Sequence, residues 1–317
     1  MKLKNKKIFL TGGAGNIGSH IAELLAGEGA NIFIYDNFVR GKIENLRTAK
    51  AAGRVKVISG DIRDVKKMKR GMKGMDYVFH LASAWLLQCL KEPRLALDVN
   101  VTGSYNVLEA AVQNNVKKLI FSSSASVFGD PLYFPVDEKH PFNTNSAYGA
   151  SKVAGEQFCE VFHKMYGLKY VALRYFNVFG PRQDVKGAFT QVIPKWLDCI
   201  DAGKPVTVFG DGRQTMDLIY VGDVARANIL ALKSGVDSGV FNIGTGRETS
   251  ANQLAEVLLK LSGSRVKIIH RGKDINLVNR RKSSTKKAEK LIGFKSRIGL
   301  KEGLKALMDW RASELKK

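Results

Sequence analysis

A glycine-rich turn near the start of the chain constrains the fold more than any other feature of the sequence. Lys7 to Thr11 predicts a buried parallel strand, which runs directly into Gly12-Gly13-Ala14-Gly15-Asn16-Ile17-Gly18. Ile21, Leu24 and Leu25 follow at helical spacing. Glycines between a strand and a helix permit a tight turn, close approach of a pyrophosphate to the backbone, and a helix N-terminus directed at the anion. The stretch therefore predicts an α/β fold with a doubly wound parallel sheet that binds a dinucleotide.

An acidic residue ends the second predicted strand. Asn31 to Tyr35 leads into Asp36, at the spacing expected for the residue that accepts hydrogen bonds from the adenosine ribose. The carboxylate would repel a 2'-phosphate, which favours NAD over NADP. Arg40 and Lys42 follow closely and favour the opposite choice. On balance the sequence predicts NAD as the cofactor.

Further apolar segments extend the predicted sheet, and two helices are expected between them. The strands are Val55 to Ile58, Tyr77 to His80, Lys118 to Phe121 and Tyr170 to Leu173, and the helices are Val101 to Gln113 and Ser151 to Met165. We expect residues 1–180 to form the dinucleotide-binding domain and residues 181–317 to form a smaller substrate lobe. Residues 205–240 are expected to return to the large sheet.

A tyrosine and a lysine at helical spacing carry the chemistry of the sequence. Tyr148 and Lys152 stand at i and i+4, so their side chains are neighbours on one face of a helix. A cationic lysine beside the ring is expected to lower the pKa of the phenol from about 10 toward working pH. Ser122-Ser123-Ser124 lies upstream at the carboxyl end of a predicted strand, where open α/β sheets place their ligands. These residues predict a proton-transfer site.

Together, these stretches resemble the extended short-chain dehydrogenase/reductase family, specifically its nucleotide-sugar epimerases and dehydratases, over almost the whole chain. The resemblance implies a Rossmann domain, bound NAD, a nucleotide-sugar substrate and a homodimer. The catalytic residues that it implies are Ser124, Tyr148 and Lys152. The implied cofactor-binding residues are Gly12, Gly15, Asn16, Ile17, Gly18, Asp36, Asn37, Asp61, Ile62, Leu81, Ala82, Ser83, Asn100, Ser122, Tyr148, Lys152 and Tyr175. The implied substrate-binding residues are Ser126, Asn177, Val192, Phe209 and Arg271.

The resemblance gives several of these residues a role, and simpler alternatives stay open. Tyr175 is expected against the nicotinamide and Asn177 on the substrate diphosphate, whereas Phe209 would stack on the nucleotide base unless it is a core aromatic. Asp61 would lie against the adenine or cap the following helix. Asn100 would support the cofactor region, most simply as a helix N-cap. His80 is expected to be packed rather than catalytic.

Two positions after Ser124 separate the possible reactions. Dehydratases of the family carry an Asp-Glu pair there, which supplies an acid and a base for the loss of water. This chain has Ala125 and Ser126, which cannot do that work. The sequence therefore resembles the epimerases, and we expect inversion at C4 through a 4-keto intermediate. The alternatives are a nucleotide-sugar 4-dehydrogenase or another oxidoreductase of the family, and a non-catalytic NAD-binding or nucleic-acid-binding protein.

The chain departs from the family pattern in two places. Met216 stands where the family has an arginine that binds the substrate diphosphate, and we expect Arg213, Arg182 or Arg271 to compensate. An apolar run also replaces the usual polar loop near the sugar, and it is either core or the wall of a pocket for a less polar or modified sugar. This run is Trp85-Leu86-Leu87-Gln88-Cys89-Leu90.

Composition limits the class of protein. The chain has 317 residues, a formal net charge of +22 and three cysteines, Cys89, Cys159 and Cys199, which have neither zinc-ligand spacing nor an even count. We therefore expect no metal site and a reducing cytoplasm. No apolar run approaches the roughly 18 residues of a membrane span, so we expect no membrane contact. The charge is not interleaved with aromatic residues as in nucleic-acid surfaces, and solvated helix faces explain it without a nucleic-acid partner.

Overall fold

A computed structural model describes residues 1–184, 192–272 and 279–315 of the chain. Its strands are β1 (Lys7–Thr11), β2 (Asn31–Asp36), β3 (Arg54–Ser59), β4 (Tyr77–His80), β5 (Lys118–Ser124), β6 (Tyr170–Tyr175), β7 (Asn177–Phe179), β8 (Val206–Phe209), β9 (Thr215–Met216), β10 (Leu218–Tyr220), β11 (Ser238–Ile243), β12 (Thr249–Ser250) and β13 (Ile268–Arg271). Seven of them form a sheet in the order β11-β6-β5-β4-β1-β2-β3, and every pair in it is parallel. The order of the strands reverses around β1, which is the doubly wound arrangement that the sequence predicts.

Helices cover both faces of this sheet. They are α1 (Asn16–Gly27), α2 (Arg47–Ala52), α3 (Val65–Gly71), α4 (Leu86–Lys91), α5 (Gly103–Gln113), α6 (Ala147–Tyr166), α7 (Val192–Asp201), α8 (Val221–Lys233), α9 (Ala251–Ser262), α10 (Lys286–Ile292) and α11 (Leu300–Leu315). Alternate residues of each strand enter different hydrophobic clusters: Ile8 and Leu10 pack with α1 and α8, whereas Phe9 packs with α3 and α5. Burial on both faces is the physical reason that these strands read as continuous apolar runs.

The catalytic strand and the one beside it are longer than predicted. β5 continues through the serines to Ser124, and β6 continues to Tyr175. Because these polar residues still pair as strand, their side chains are fixed by the sheet rather than by a loop. α6 begins at Ala147, before the predicted start, with Ser146 as its N-cap accepting from Gly149 N at 3.1 Å. Tyr148 and Lys152 therefore share this helix.

The expected role of Asn100 as an N-cap is wrong. Asn100 lies inside a wide helical turn, Ala96–Thr102, that precedes α5. Its buried side chain accepts a hydrogen bond from Ala84 N at 2.7 Å and donates to Ser151 Oγ at 3.0 Å. The helical turn starts before Asn100, so this residue cannot be the N-cap. Its side-chain amide instead joins Ala84 to Ser151 on α6.

The second half of the chain builds a separate hydrophobic core. Its residues come from α7, α9 and α11 and from the short strands β8 and β10. β11 returns to the central sheet and pairs with β6. The domain boundary at residue 180 stays a prediction. No helix of the described residues combines the length and the hydropathy that a membrane span requires, and the same residues contain no cluster of His, Cys, Asp and Glu able to hold a metal ion.

Candidate active site

A large cavity opens at the carboxyl ends of the central strands. Its volume is about 1110 Å³, above the roughly 300 to 1,000 Å³ of a site for one small ligand, so it can hold a dinucleotide and a second molecule. Most residues predicted for the site line it: Gly12, Gly15, Asn16, Ile17, Gly18, Asp36, Asn37, Asp61, Ile62, Leu81, Ala82, Ser83, Ser122, Ser124, Ser126, Tyr148, Lys152, Tyr175, Asn177 and Val192. Among the described lining residues, Asn100, Phe209 and Arg271 do not occur.

The predicted catalytic residues lie together in this cavity. The Ser124 side chain acts on the phenol of Tyr148, where it lowers the pKa. Lys152 Nζ lies 5.6 Å from the centre of the Tyr148 ring and donates to the carbonyl of Ser122 at 2.9 Å. Ser124 Oγ also accepts from Ser126 N at 3.1 Å, so the hydroxyl is oriented by the turn that follows β5. Strand and helix thus place a hydroxyl, a phenol and an amine at one point.

The predicted lowering of the Tyr148 pKa toward working pH is wrong. Burial raises the pKa of Tyr148 to about 12, against the lowering effects of the Ser124 side chain and of the Arg40 charge. Burial also lowers the pKa of Lys152 to about 8. Desolvation disfavours the charged form of both groups, and it is the largest cause of both shifts. The phenol therefore needs additional positive charge before it can act as a base near neutral pH.

A chain of hydrogen bonds supports the end of the catalytic strand. Ser122 Oγ and Tyr175 Oη are 3.0 Å apart, and Tyr175 Oη donates to Asn228 Oδ1 at 3.0 Å. Asn228 is fully buried on α8 and donates to Val224 O at 2.8 Å. The chain fixes Tyr175 between β5 and α8, at the position expected for a residue against the nicotinamide.

A buried ion pair lies behind the serines, and the sequence reasoning missed it. Arg174 donates to both carboxylate oxygens of Glu156, at 2.9 Å and 2.7 Å. Ser123 Oγ donates to the same carboxylate. Glu156 stands at i+4 from Lys152 on the face that packs against β5, and this spacing was the one sequence signal available. The pair joins α6, β5 and β6 directly below the catalytic residues.

The glycine turn fits a dinucleotide because there is no room in it for side chains. Gly12 has φ of +67°, and a Cβ added there would lie 2.7 Å from Ala82 N. A Cβ on Gly18 would lie 2.4 Å from Gly12 O. Gly15 is the N-cap of α1 and has no side chain to cap the amides of the first turn, which leaves them available to an anion. The bare backbone and the helix N-terminus match what a pyrophosphate requires.

The acid at the end of β2 faces the same cavity. Asp36 accepts from Ala14 N and Phe38 N, each at 2.9 Å, and it is buried. Burial raises the pKa of Asp36, and both backbone bonds oppose that shift. Each carboxylate oxygen keeps a further acceptor site for a ribose hydroxyl. The residues present therefore fit NAD.

The acidic residue after β3 does not cap a helix. Asp61 accepts from Asn37 Nδ2 at 2.9 Å and from the guanidinium of Arg63, and the hydrogen bond from Arg63 holds its pKa below the ordinary value. The N-cap of α3 is Asp64, which accepts from Lys67 N at 3.0 Å. The capping alternative for Asp61 is therefore wrong, and its position beside Asn37 keeps the carboxylate at the cavity.

His80 is packed, as expected from the sequence. It is buried at the end of β4, with Nδ1 2.7 Å from Thr11 Oγ1 and Nε2 2.9 Å from Ser104 Oγ. Burial lowers the pKa of His80 to about 3. The neutral ring joins β1, β4 and α5 beneath the glycine turn.

The apolar run forms a wall of the cavity, apart from one core residue. Trp85, Leu86, Leu87, Gln88 and Leu90 line the cavity, whereas Cys89 is buried in a small cluster beside Tyr148. The guanidinium of Arg40 lies 4.3 Å from the centre of the Trp85 ring. Arg40, considered from the sequence as a possible partner for the 2'-phosphate of NADP, thus stacks on Trp85 in this wall.

The predicted substrate contacts divide into two groups. Asn177 lines the cavity, and its buried Oδ1 has no hydrogen-bond partner among the described residues, as expected of a group that meets a ligand. Phe209 and Arg271 lie side by side on β8 and β13 and are exposed outside the described lining. Met216 lines the cavity. Their roles in binding stay predictions.

The cavity also contains residues that the sequence reasoning did not select. Arg281, Trp310 and Arg311 line it, and all three come from the C-terminal part of the chain. No local motif marks them, because they reach the cavity only through the packing of the second core.

Comparison with known proteins identifies the family. A model of the NAD dependent epimerase/dehydratase family matches residues 8–244. A putative UDP-glucose 4-epimerase of Methanocaldococcus jannaschii is 39% identical over 306 residues, which cover 96% of this chain and 97% of that protein. A UDP-N-acetylglucosamine 4-epimerase of Methanobrevibacter ruminantium, solved with UDP-N-acetylmuramic acid, is 36% identical with a TM-score of 0.93, covering 98% of this chain and 99% of that one. A UDP-glucose 4-epimerase of Thermotoga maritima, solved with UDP-glucose, is 37% identical with a TM-score of 0.91 and the same coverage.

These matches agree with the glycine turn, the fit to a dinucleotide and the grouped serine, tyrosine and lysine. The predicted fold class, family and cofactor are confirmed. This chain belongs to the NAD dependent epimerase/dehydratase family.

Proposed function

We propose that this protein is an NAD-dependent nucleotide-sugar epimerase that inverts C4, with a UDP-sugar as its substrate. The observation that carries the proposal is the grouping of Ser124, Tyr148 and Lys152 in one cavity that also contains the glycine turn. Two similar proteins of known structure are 4-epimerases named for UDP-sugars, which supports the choice of nucleotide.

The residues of the chain supply one proton shuttle. Ser124 holds the 4-hydroxyl of the sugar, and Tyr148 takes its proton and returns it. NAD, when bound, supplies a hydride acceptor and donor, and in its oxidised form it adds a positive charge that favours the phenolate. Lys152 is anchored on the carbonyl of Ser122 and keeps a cationic donor below the ring. The apolar wall and Tyr175 exclude water from the 4-keto sugar while it turns over.

The absence of a second acid/base pair favours epimerisation over dehydration. Ala125 is buried, and the side chain of Ser126 bonds with Ser124. Neither can protonate a leaving hydroxyl or remove an α-proton. Tyr148 is sufficient for an epimerase, because its cycle needs only one proton transfer in each direction.

The experiment is to incubate the purified protein, without added cofactor, with UDP, GDP, CDP and dTDP sugars and to follow the C4 isomers by chromatography and NMR. An epimerase regenerates its cofactor in every cycle, so we expect isomerised UDP-sugar without net NADH. A product that accumulates only with stoichiometric reduction of added NAD would identify a 4-dehydrogenase instead.

We also propose a homodimer through α5 and α6. Phe162 belongs to the core, and Val153 and Phe158 are half-buried. The sequence suggested those three residues as the apolar contact surface, whereas the exposed apolar residues on the two helices are Tyr105, Val161, Met165 and Tyr166. Light scattering at micromolar concentration tests the assembly, and a monomer would leave these residues as an unpaired surface.

The cytoplasm is the proposed location. Cys89, Cys159 and Cys199 are free thiols, and two of them are buried. Reduced thiols of this kind persist in a reducing compartment.

A further inference from the structure

A positive side chain lies next to the residue that replaces the family arginine. Thr215 N donates to Asn279 O and Arg281 N donates to Thr215 O, both at 3.1 Å. This is the bonding of a parallel pair, so Arg281 becomes the neighbour of Met216. Both residues line the cavity.

The segment that carries Arg281 is fixed on both sides. Asp217 is fully buried and accepts from Ser283 N at 3.1 Å and from Ser283 Oγ at 2.5 Å. Val136 N donates to Lys282 O at 2.8 Å, which joins the segment to the loop after the catalytic strand. Arg281 therefore occupies a built position between β9 and the catalytic end of the cavity.

No described residue forms an ion pair or a side-chain hydrogen bond with the guanidinium of Arg281. Burial lowers the pKa of Arg281, and the charge of Asp130 acts in the opposite direction. The other arginines of the cavity are engaged: Arg63 with Asp61, Arg182 with Glu23, Arg311 with Asp198 and Asp201, and Arg40 on Trp85. A half-buried cation without a counter-ion is costly unless a ligand supplies the negative charge.

We propose that Arg281 binds the diphosphate of the nucleotide-sugar substrate, in the place that Met216 leaves without a charge. The proposal rests on the proposed function. A guanidinium offers the fork of donors that suits phosphate oxygens, and Asn177, with its unpartnered Oδ1, lines the same cavity. Arg271 and Arg213, which the sequence suggested as replacements, are exposed and outside the described lining. Arg182 lines the cavity, but it is paired with Glu23.

The first experiment compares wild type with Arg281→Gln by calorimetric titration with UDP and with uridine. We expect UDP to bind at least about tenfold more weakly to the variant, because a charge-assisted hydrogen bond is lost, and uridine to bind equally. Arg213→Gln is the matched control, since that side chain is 88% exposed and lies outside the described lining. Its affinity for UDP should equal that of wild type.

The second experiment restores the family arginine. In the double variant Arg281→Gln with Met216→Arg, we expect UDP affinity to recover to within about threefold of wild type, because a guanidinium again reaches the diphosphate from the neighbouring position. The melting temperature of nucleotide-free Arg281→Gln should equal or exceed that of wild type, because an unpaired cation has been removed.

Three results would overturn the proposal. Unchanged UDP binding by Arg281→Gln would remove Arg281 from the diphosphate site. Equal weakening of UDP and uridine, with a lower melting temperature, would show a structural role. A third result would be unchanged UDP binding together with a loss of affinity for UDP-glucuronic acid, relative to UDP-glucose, in Arg281→Gln but not in wild type. That result would show that Arg281 recognises a sugar carboxylate instead. A wild-type protein that binds none of UDP, GDP, CDP and dTDP at millimolar concentration would instead contradict the proposed function itself.

Discussion

Lys152 donates to the carbonyl of Ser122 at 2.9 Å, and the same nitrogen lies 5.6 Å from the centre of the Tyr148 ring. The lysine is thus held by the backbone of the catalytic strand rather than by a carboxylate. Burial lowers the pKa of Lys152 to about 8, and the charge of Glu156 opposes this shift without cancelling it. The ammonium group of Lys152 and the phenol of Tyr148 are therefore both buried, side by side.

Tyr148→Phe should keep the fold and the bound NAD and lose on the order of 10²-fold or more in turnover, since it removes only the positioned acid/base. Turnover is measured by isomer formation, and cofactor content by absorbance after denaturation. Tyr133→Phe is the control, because that phenol bonds to Asp137 outside the described lining of the cavity. Near-normal turnover in Tyr148→Phe would remove the phenol from the mechanism.

Lys152→Met should stabilise the nucleotide-free protein at neutral pH. The pKa of Lys152 is lowered from 10.5 to about 8, so below pH 8 the folded protein bears the full cost of the buried charge. As the pH rises from about 8 to about 10.5, the unfolded chain binds more protons than the folded one and wild type regains up to about 3 kcal/mol relative to the variant. Urea unfolding at several pH values tests this. For the exposed Lys164→Met, the difference from wild type in the free energy of unfolding should not change with pH. If that difference does not become smaller for Lys152→Met as the pH rises, the prediction is wrong.

His80 should make the protein sensitive to mild acid. Its pKa falls from 6.5 to about 3 in the folded state, so the unfolded chain binds the proton first as the pH drops through 6.5. Wild type should lose about 2 kcal/mol from this residue between pH 7.5 and pH 5. His80→Gln should be less stable than wild type at pH 7.5 but should not lose that contribution of about 2 kcal/mol on going to pH 5. The exposed His270→Gln should lose it as wild type does. Equal slopes in wild type and His80→Gln would contradict the buried neutral ring.

Glu156→Gln should cost about 3 to 5 kcal/mol of stability, because it leaves the Arg174 guanidinium buried without its carboxylate. The Ser123 hydroxyl loses its charged acceptor as well, so kcat should fall while KM changes little. Asp98→Asn breaks an exposed pair with Arg94 and should cost less than about 1 kcal/mol. Urea unfolding measures both losses of stability. An equally small loss in Glu156→Gln would mean that the fold does not depend on the buried pair.

Local pattern was enough to predict the glycine turn, the strands β1 and β4 at their observed bounds, and the Tyr148–Lys152 pair. These features depend on residues close together in the chain: glycine conformations, apolar runs and helical spacing. Asn177 was implied by the resemblance to the family, and its buried Oδ1 has no hydrogen-bond partner among the described residues.

The tertiary structure decided what depends on distant residues. Asn100 bonds to Ser151 rather than to its own helix, burial raises the pKa of the Tyr148 phenol, and Arg281 reaches the cavity through hydrogen bonds to Thr215. Hydrogen bonding between distant segments and burial are properties of the packed chain, and neither leaves a periodic signal in sequence. The sequence alone therefore determined the dinucleotide fold and the tyrosine–lysine pair, whereas packing decided the charge states of that pair and which cation lies beside Met216 in the cavity.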